Sequence, residues 1–294
     1  MSLFDGKPIE IDNRKKKVVL TASRMTDMPK YYPEEIIKEV HKRLDRGIEI
    51  HTLVLLTKHP RSLLSDPLKG FLLNLQNNGI QISAQITITG VGGMVIGKKA
   101  NGKPLILEPQ APSCKDSLKA LPEVITLAGL PERIRIRFDP IVRLTDSEGN
   151  LFSNIKYLPL VVETASGFGI KDFSFSFLEK NTHKKVDQRF RMMGCTIIPP
   201  TTEEREKFKT WLKRLEEKNN VNIFACSVPG FEKTSCIDGQ TLQKTHPDKE
   251  PADLSHARKR QLCGCTKSID LGGWPPKKCF TGCDYCYAHP AYSD

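Results

Sequence analysis

Val18-Val19-Leu20-Thr21-Ala22, then Ile36, Ile37, Val40 and Leu44 behind Pro33, then Thr52-Leu53-Val54-Leu55-Leu56, decide the fold class. Two short aliphatic runs flank a segment whose apolar positions recur every three or four residues. A strand without polar alternation suits a sheet covered on both faces. Strand, amphipathic helix and strand together form the unit from which parallel sheets with helical crossovers are built.

The alternation continues downstream. An apolar-striped helix is expected at 68–75, and a strand at 80–89 with Ile82, Ala84, Ile86 and Ile88 on one face. Residues 91–112 are rich in Gly, Pro and Lys and read as a hairpin or loop excursion. Helical signal runs over 115–127, broken or kinked at Pro122. A fourth strand covers 134–138, a helix follows Pro159, and a fifth strand covers 173–177. Helices are expected near 182–193 and 202–218, the latter opened by a capping box of Thr201 and Glu204. The sixth strand is 221–225. About six such units predict an α/β fold, a partial TIM-like barrel, with an open doubly wound sheet as the competing architecture. Residues 1–226 form the barrel in this reading. Residues 227–294 form a cysteine-rich, metal- or cluster-binding tail packed over its mouth.

Both architectures gather chemistry at the C-terminal ends of the strands. Polar residues follow the strands there: Arg24 and Asp27 after the first, Thr57, Lys58 and His59 after the second, Asp139 and Arg143 after the fourth, Cys226 after the sixth. Arg24, Lys58 and Asp139 are the candidate catalytic groups. Arg24, Thr57, Lys58 and Asp139 are the candidates for binding a cofactor. A salt bridge that closes the mouth is the alternative role for Arg24 and Asp27, and a structural role the alternative for Lys58 and His59.

The 294 residues carry a formal charge of +11 and nine cysteines. A basic surface attracts polyanions, so nucleic acid or a phosphorylated substrate is a candidate partner. Arg258-Lys259-Arg260 and Lys277-Lys278 put basic patches beside the cysteines. No stretch reaches the roughly 20 apolar residues of a membrane helix, and residues 1–17 lack the apolar core of a signal peptide. The reading is therefore a cytoplasmic protein with no membrane partner, in which clustered cysteines bind metal or do redox chemistry rather than form disulfides.

Cys114 and Cys195 stand alone and read as small packed hydrophobes. The other seven lie between 226 and 286: Cys226, Cys236, the pair Cys263 and Cys265, and the triple Cys279, Cys283 and Cys286. Their neighbours are mostly Lys, Gly, Pro and Asp, which core packing does not explain. Crowded thiolates repel unless a cation neutralises them, and a metal or cluster supplies one. Zinc favours two short chelating pairs, whereas the triple has spacings of three and two residues, open also to an iron–sulfur cluster. His246, His256 and His289 are nearby histidines that could ligate metal or stay solvated, His289 lying three residues beyond Cys286.

Cys279-x-x-x-Cys283-x-Tyr285-Cys286-Tyr287 resembles the cluster motif of radical S-adenosylmethionine enzymes, and especially that of spore photoproduct lyases. The resemblance implies a 4Fe–4S cluster on three cysteines, S-adenosylmethionine on the fourth iron, and an electron donor such as a ferredoxin or flavodoxin. It implies a lyase, repair or modification reaction on a partial barrel. The superfamily's motif follows its first strand, and this one follows the last. The superfamily's Gly-Gly-Glu-type segment has no clear counterpart, since Gly92-Gly93-Met94 suits a turn. Over nearly the whole length, 21–27, 57–60, 138–141, 225–227, 236–238 and the cysteine tail resemble the bacterial family called domain of unknown function 1848. Its C-terminal cysteine cluster is likewise similar to that of radical S-adenosylmethionine proteins. Cys226, Cys236, Cys263 and Cys265 then form a second site, or one of them donates a hydrogen atom to a substrate radical as in spore photoproduct lyases. Two rivals stand beside the enzyme: a zinc-stabilised nucleic-acid-binding protein, and an iron–sulfur electron carrier or sensor.

Overall fold

The computed structural model describes residues 17–257 and 261–292. Among them, seven strands form one sheet in which every neighbouring pair is parallel. They are β1 (Val18–Ala22), β2 (Ile50–Thr57), β3 (Gln81–Thr87), β4 (Ile134–Ile141), β5 (Asp172–Phe177), β6 (Asn222–Ala225) and β7 (Ile269–Asp270). Their order across the sheet is β6-β5-β4-β3-β2-β1-β7. A doubly wound sheet reverses direction at a switch point. Here β1 to β6 succeed one another without reversal, so the sheet is singly wound, as in a barrel. Among the described residues it stays open, with β6 and β7 at its edges.

The helices follow the expected apolar stripes, except the last, which the sequence reading does not expect. They are α1 (Pro33–Leu44), α2 (Leu68–Asn77), α3 (Leu121–Ala128), α4 (Leu158–Gly167), α5 (Lys184–Met192), α6 (Thr202–Asn219) and α7 (Gly239–Thr245). The expected break near Pro122 lies at Ala120, which closes a short helix at Cys114–Lys119 and caps α3. Proline at the second helical position needs no backbone donor, so it begins α3 rather than bending it. Thr201 and Glu204 form the expected capping box.

One large core joins sheet and helices: Leu20, Leu53, Leu55, Ile82 and Ile136 meet Ile36, Val40, Leu72 and Val161. Alternate strand residues face the other way. Val19, Val54 and Leu56 pack there with Ile237, Leu242 and Cys265. The chain beyond β6 therefore lies against the sheet's inner face as well as beyond its C-terminal edge. All eight positions of β2 are buried because both faces are covered.

That inner segment is mostly irregular, so its carbonyls need donors. Long polar side chains on the strands and the turn before β4 supply them. Gln81 Nε2 donates to Leu242 O at 3.1 Å, and Arg133 Nη2 to Thr245 O at 2.7 Å. Gln85 reaches Cys236 O and Arg135 reaches Ser235 O. A smaller antiparallel layer of Arg143–Thr145, Leu151–Ser153 and Thr196–Ile197, with a hairpin of Gly97–Lys98 and Pro104–Leu105, sits beside the C-terminal edge. Its core is Leu105, Leu107, Val142, Leu144 and Phe190, with Tyr285 packed against it.

Candidate metal centre

The loop after β7 carries Cys279, Cys283 and Cys286 to the C-terminal edge of the sheet. Hydrogen bonds fix it on several sides. Thr26 Oγ1 donates to Lys277 O and Tyr32 OH to Lys278 O, each at 2.9 Å. Gln110 N donates to Thr281 O at 3.3 Å, and Asp284 N to Leu107 O at 2.9 Å. Arg189 of α5 donates to Cys286 O at 3.1 Å and also to Asp284 O. Within the loop Cys279 N donates to His289 O at 2.8 Å and Cys286 N to Cys283 O at 3.0 Å.

Behind Cys283 lies a buried polar group. Glu108, only 2% exposed, accepts from Lys58 Nζ at 3.1 Å, Thr89 Oγ1 at 2.5 Å and the Tyr285 hydroxyl. Lys58 Nζ also lies 5.5 Å from the centre of the Tyr285 ring. Burial alone would depress the Lys58 ammonium, but Glu108, Cys283 and Asp139 outweigh it and hold its pKa above the ordinary value. Burial pushes the Cys283 thiol up, Lys58 draws it down, and Glu108, Cys286 and Cys279 raise it. Cys286 is raised by burial and by Cys279, and is drawn down by Arg189 and Lys58. The three thiols thus sense one another, and each of the two raised ones has cations beside it. Among the described residues, no group of three or more His, Cys, Asp or Glu side chains stands at metal-binding positions about one point. What the loop offers is a donor set: three soft sulfurs within eight residues, with cations to offset their charge.

A second thiol group lies on the inner face. Cys236 Sγ is 3.3 Å from Cys265 Sγ, and Cys226 shares a hydrogen bond with Cys236. Hydrogen bonds from Cys226 and Cys265, with the charges of Arg137 and Arg135, hold Cys236 well below the ordinary thiol range, while Cys226 and Cys265 rise as donors to it. Between the two groups stands Asp139, which accepts from Arg137 and from Ser176. Its carboxylate acts on Lys58 on one side and on Cys226 on the other.

A family model described as Domain of unknown function (DUF1848) matches residues 43–288. The chain belongs to the DUF1848 family. No curated protein matches it. Among solved structures it is similar to Streptococcus suis SuiB, with a TM-score of 0.37 and 7% identity over 73% of this chain and 50% of that one. SuiB bound to S-adenosylmethionine gives a TM-score of 0.34 at 8% identity, over 73% of this chain and 48% of that one. An α-galactosidase from Lactobacillus brevis gives 0.27 at 9% identity, over 86% of this chain and 35% of that one. The DUF1848 chain therefore spans half or less of the length of these structures.

The other residues singled out by sequence fall into distinct surroundings. Asp27 is buried and accepts from Thr57 Oγ1 and Lys58 N, both at 2.7 Å, rather than from a cation's side chain. Thr57 also accepts from His59 N at 2.8 Å, so both its hydrogen-bonding roles are used within the loop. Burial raises Asp27 to about 6. His59 is buried against Tyr31, meets Thr281 Oγ1 at 3.1 Å, and burial lowers it to about 4. Arg24 is exposed and donates to the Ser268 hydroxyl. Arg143 pairs with Glu204 at 2.6 Å. The His246 and His51 rings lie 4.5 Å apart, tilted at 44°, the backbone of His256 pairs with that of Thr266, and His289 Nδ1 meets Pro276 O at 3.2 Å. Cys195 is buried in the smaller core and Cys114 packs on the larger one. Residues 258–260, the basic run, lie outside the described residues. Lys277 lies 3.8 Å from Glu35 and over the Tyr32 ring.

Three residues of the candidate site escape the sequence reading. Glu108 sits in a Gly-, Pro- and Lys-rich stretch with no periodic signal. Arg189 looks like one more charge on a polar helix. Tyr285 is visible only as the aromatic before the third cysteine. Only the hairpin's return over the sheet edge brings Glu108 beneath Tyr285, and no local spacing in the sequence signals that approach.

Proposed function

We propose that this chain is an iron–sulfur protein, a radical S-adenosylmethionine-like enzyme, with Cys279, Cys283 and Cys286 as cluster ligands. The observation that carries the reading is the placement of this cysteine loop at the C-terminal edge of a singly wound parallel sheet. There it covers Lys58 and Glu108, reaching Glu108 through its own Tyr285, and has Asp139 nearby. The three thiols would hold the cluster, which when loaded with S-adenosylmethionine supplies one-electron cleavage chemistry.

The chain's own residues prepare the site. Lys58 and Arg189 lower the cost of gathering thiolates, and Tyr285 and the smaller core shield Cys283 from water. Glu108 keeps Lys58 charged and fixed in place. Lys58, with ammonium protons beyond the one given to Glu108, and Asp139, with lone pairs beyond those taken by Arg137 and Ser176, are the polar groups left to meet cofactor or substrate. The hydroxyl of Thr57 is already committed to Asp27 and His59, and Arg24 points to Ser268.

Electron paramagnetic resonance on anaerobically reconstituted, dithionite-reduced protein tests this. The expected result is a reduced-cluster signal that shifts when S-adenosylmethionine is added. A cluster signal that does not move would make the protein an electron carrier or sensor. Absence of iron, with zinc in its place at these three cysteines, would make the loop a structural module. Cys283→Ala should abolish the cluster, and unchanged iron content in that variant overturns the assignment.

A further inference from the structure

The inner-face thiols come from three separate stretches of chain. Cys226 directly follows β6. Cys236 lies on a segment that runs beside the segment carrying Cys263 and Cys265: Thr234 pairs with Cys263 in parallel, Gly264 N donates to Thr234 O at 2.9 Å, and Ser235 Oγ donates to Gly264 O at 2.6 Å. The glycine between the last two cysteines makes this approach feasible. A Cβ there would lie 2.9 Å from Ser235 Oγ and 3.0 Å from Thr234 O, closer than side-chain carbons pack. In an extended segment, residues two apart face the same side. Cys263 therefore accompanies Cys265, on whose thiol its charge acts. Ile237 N points at Cys265 Sγ from 3.4 Å, a backbone donor of the kind that supports a thiolate.

We propose that Cys226, Cys236, Cys263 and Cys265, which do not stand about one point in the arrangement described, close on a single tetrahedral zinc ion when it binds, at a site separate from the three cysteines of the C-terminal edge. Four sulfurs complete a structural zinc shell with no position left open. The spacing favours one ion over a 4Fe–4S cluster. Two Zn–S bonds of about 2.3 Å at the tetrahedral angle place their sulfurs about 3.8 Å apart. Cys236 and Cys265, now 3.3 Å apart, need to separate by only about half an ångström to meet that geometry. In a 4Fe–4S cluster each thiolate sits on a different iron, which spreads the sulfurs much further, whereas two thiolates on one iron of a 2Fe–2S cluster would sit as close as on zinc, and the separate zinc and iron analysis tells those two apart. Binding exchanges thiol protons for the cation, the protons leave to solvent, and no electron moves. Arg135 and Arg137 lie beside the group and temper the negative charge of four thiolates.

The ion would do what the inner segment's sequence cannot do by itself. The stretch between Cys226 and Cys265 is largely irregular, has one short helix, and is buried against the sheet through a small apolar cluster. A four-thiolate zinc ties its two ends and its middle to the end of β6. The site is independent of the iron–sulfur reading.

The test measures zinc and iron separately in the full chain, purified anaerobically and reconstituted with iron and sulfide. About one zinc per chain is expected in the unaltered protein and in Cys283→Ala, which should lose only iron. Cys236→Ser and Cys265→Ser should lose zinc and keep iron. To cover variants that fail to fold, the unaltered protein is loaded with cobalt(II). Intense thiolate-to-cobalt absorption is expected, with Cys226, Cys236, Cys263 and Cys265 protected from alkylation as mapped by mass spectrometry. The proposal is overturned by an unaltered protein that holds no zinc and takes up no cobalt, or by zinc retained in Cys265→Ser. Iron lost from Cys265→Ser without zinc in the unaltered protein, or a Cys236–Cys265 disulfide, would overturn it as well. Loss of the reading for Cys279, Cys283 and Cys286 would show only in the iron of Cys283→Ala and leaves the zinc result standing.

Discussion

Replacing Glu108 tests the buried polar group beneath the cysteine loop. Glu108 and Lys58 have side chains 3% and 14% exposed, and the pair is 3.1 Å apart. In Glu108→Ala the Lys58 ammonium stays buried without a counter-charge, and the Tyr285 and Thr89 hydroxyls lose their acceptor. Removing one partner of a buried ion pair costs about 3–5 kcal/mol. That is a large share of the roughly 5–15 kcal/mol by which a domain is stable. Urea unfolding at pH 7, under anaerobic reducing conditions, should show the lower midpoint at an unchanged slope. Glu108→Gln keeps an acceptor for the hydroxyls and should cost less, about 2–4 kcal/mol. Adding Lys58→Met to Glu108→Gln removes the stranded charge. The double variant should therefore be more stable than the sum of the single losses by about 1–2 kcal/mol. A Glu108→Ala protein within about 1 kcal/mol of the unaltered one, or strictly additive losses, would refute the reasoning.

Asp27 should shape the acid side of the stability curve. Its folded pKa, about 6, stands above the ordinary 3.8, so the folded state holds a proton that the unfolded chain releases. Stability from this group is full below about pH 3.8 and falls as pH rises through 6, by about 3 kcal/mol. Asp27→Asn removes that fall, so unfolding midpoints across pH 4–7 should rise more steeply in the variant. His51 and His59, both lowered to about 4, act in the opposite sense: their stability is present above 6.5 and is lost as pH falls toward 4. His59→Gln should therefore flatten the same curve. Arg189→Leu frees the carbonyls of Asp284 and Cys286, and reconstituted iron per chain should drop several-fold while the urea midpoint moves little. Thr201→Ala removes the cap of α6 and should cost about 1 kcal/mol with no change in metal content, measured by the same unfolding titration.

The strands and helices are legible because each rests on a local period. β1 can be read to the residue, and β2 to β6 within a few residues, since aliphatic runs with regular helical spacing between them have few other solutions. β7 is not legible, because two residues, Ile269 and Asp270, carry no period and form a strand only by pairing with β1. The polar positions of β3 and β4 are legible as residues but not as roles. Gln81, Gln85 and Arg135 look like the wet face of a sheet, yet they hold the carbonyls of a segment 100 residues or more away in sequence. The cysteine triple announces itself by spacing. The inner thiol group does not, since its members are separated by 10, 27 and 2 residues and meet only when two extended segments lie side by side.

β7 also explains how the cysteine loop can stand at the end of the chain rather than near its start. In a singly wound sheet the first strand keeps one free edge until something closes on it. β7 occupies that edge, pairing Leu20 with Ile269 and Thr21 with Asp270 in parallel register. A parallel neighbour ends on the same side of the sheet. The loop that leaves β7 therefore emerges beside the loop that leaves β1, and Thr26 and Tyr32 bind its carbonyls. Chain order and spatial order part company here: the cysteines are last in sequence but adjacent in space to the first strand's turn. The position that separates this motif in sequence from the superfamily it resembles is, in space, the neighbouring position. What brings the loop there is the pairing of two residues, held by Ser23 and Arg24 N on the Asp270 carboxylate. Asp270→Ala should therefore loosen the cysteine loop without touching a thiol. The measurement is reconstituted iron per chain together with alkylation rates at Cys279, Cys283 and Cys286. Faster alkylation with less iron supports this route to the site, and unchanged values for both would mean that the loop is held from the smaller core alone.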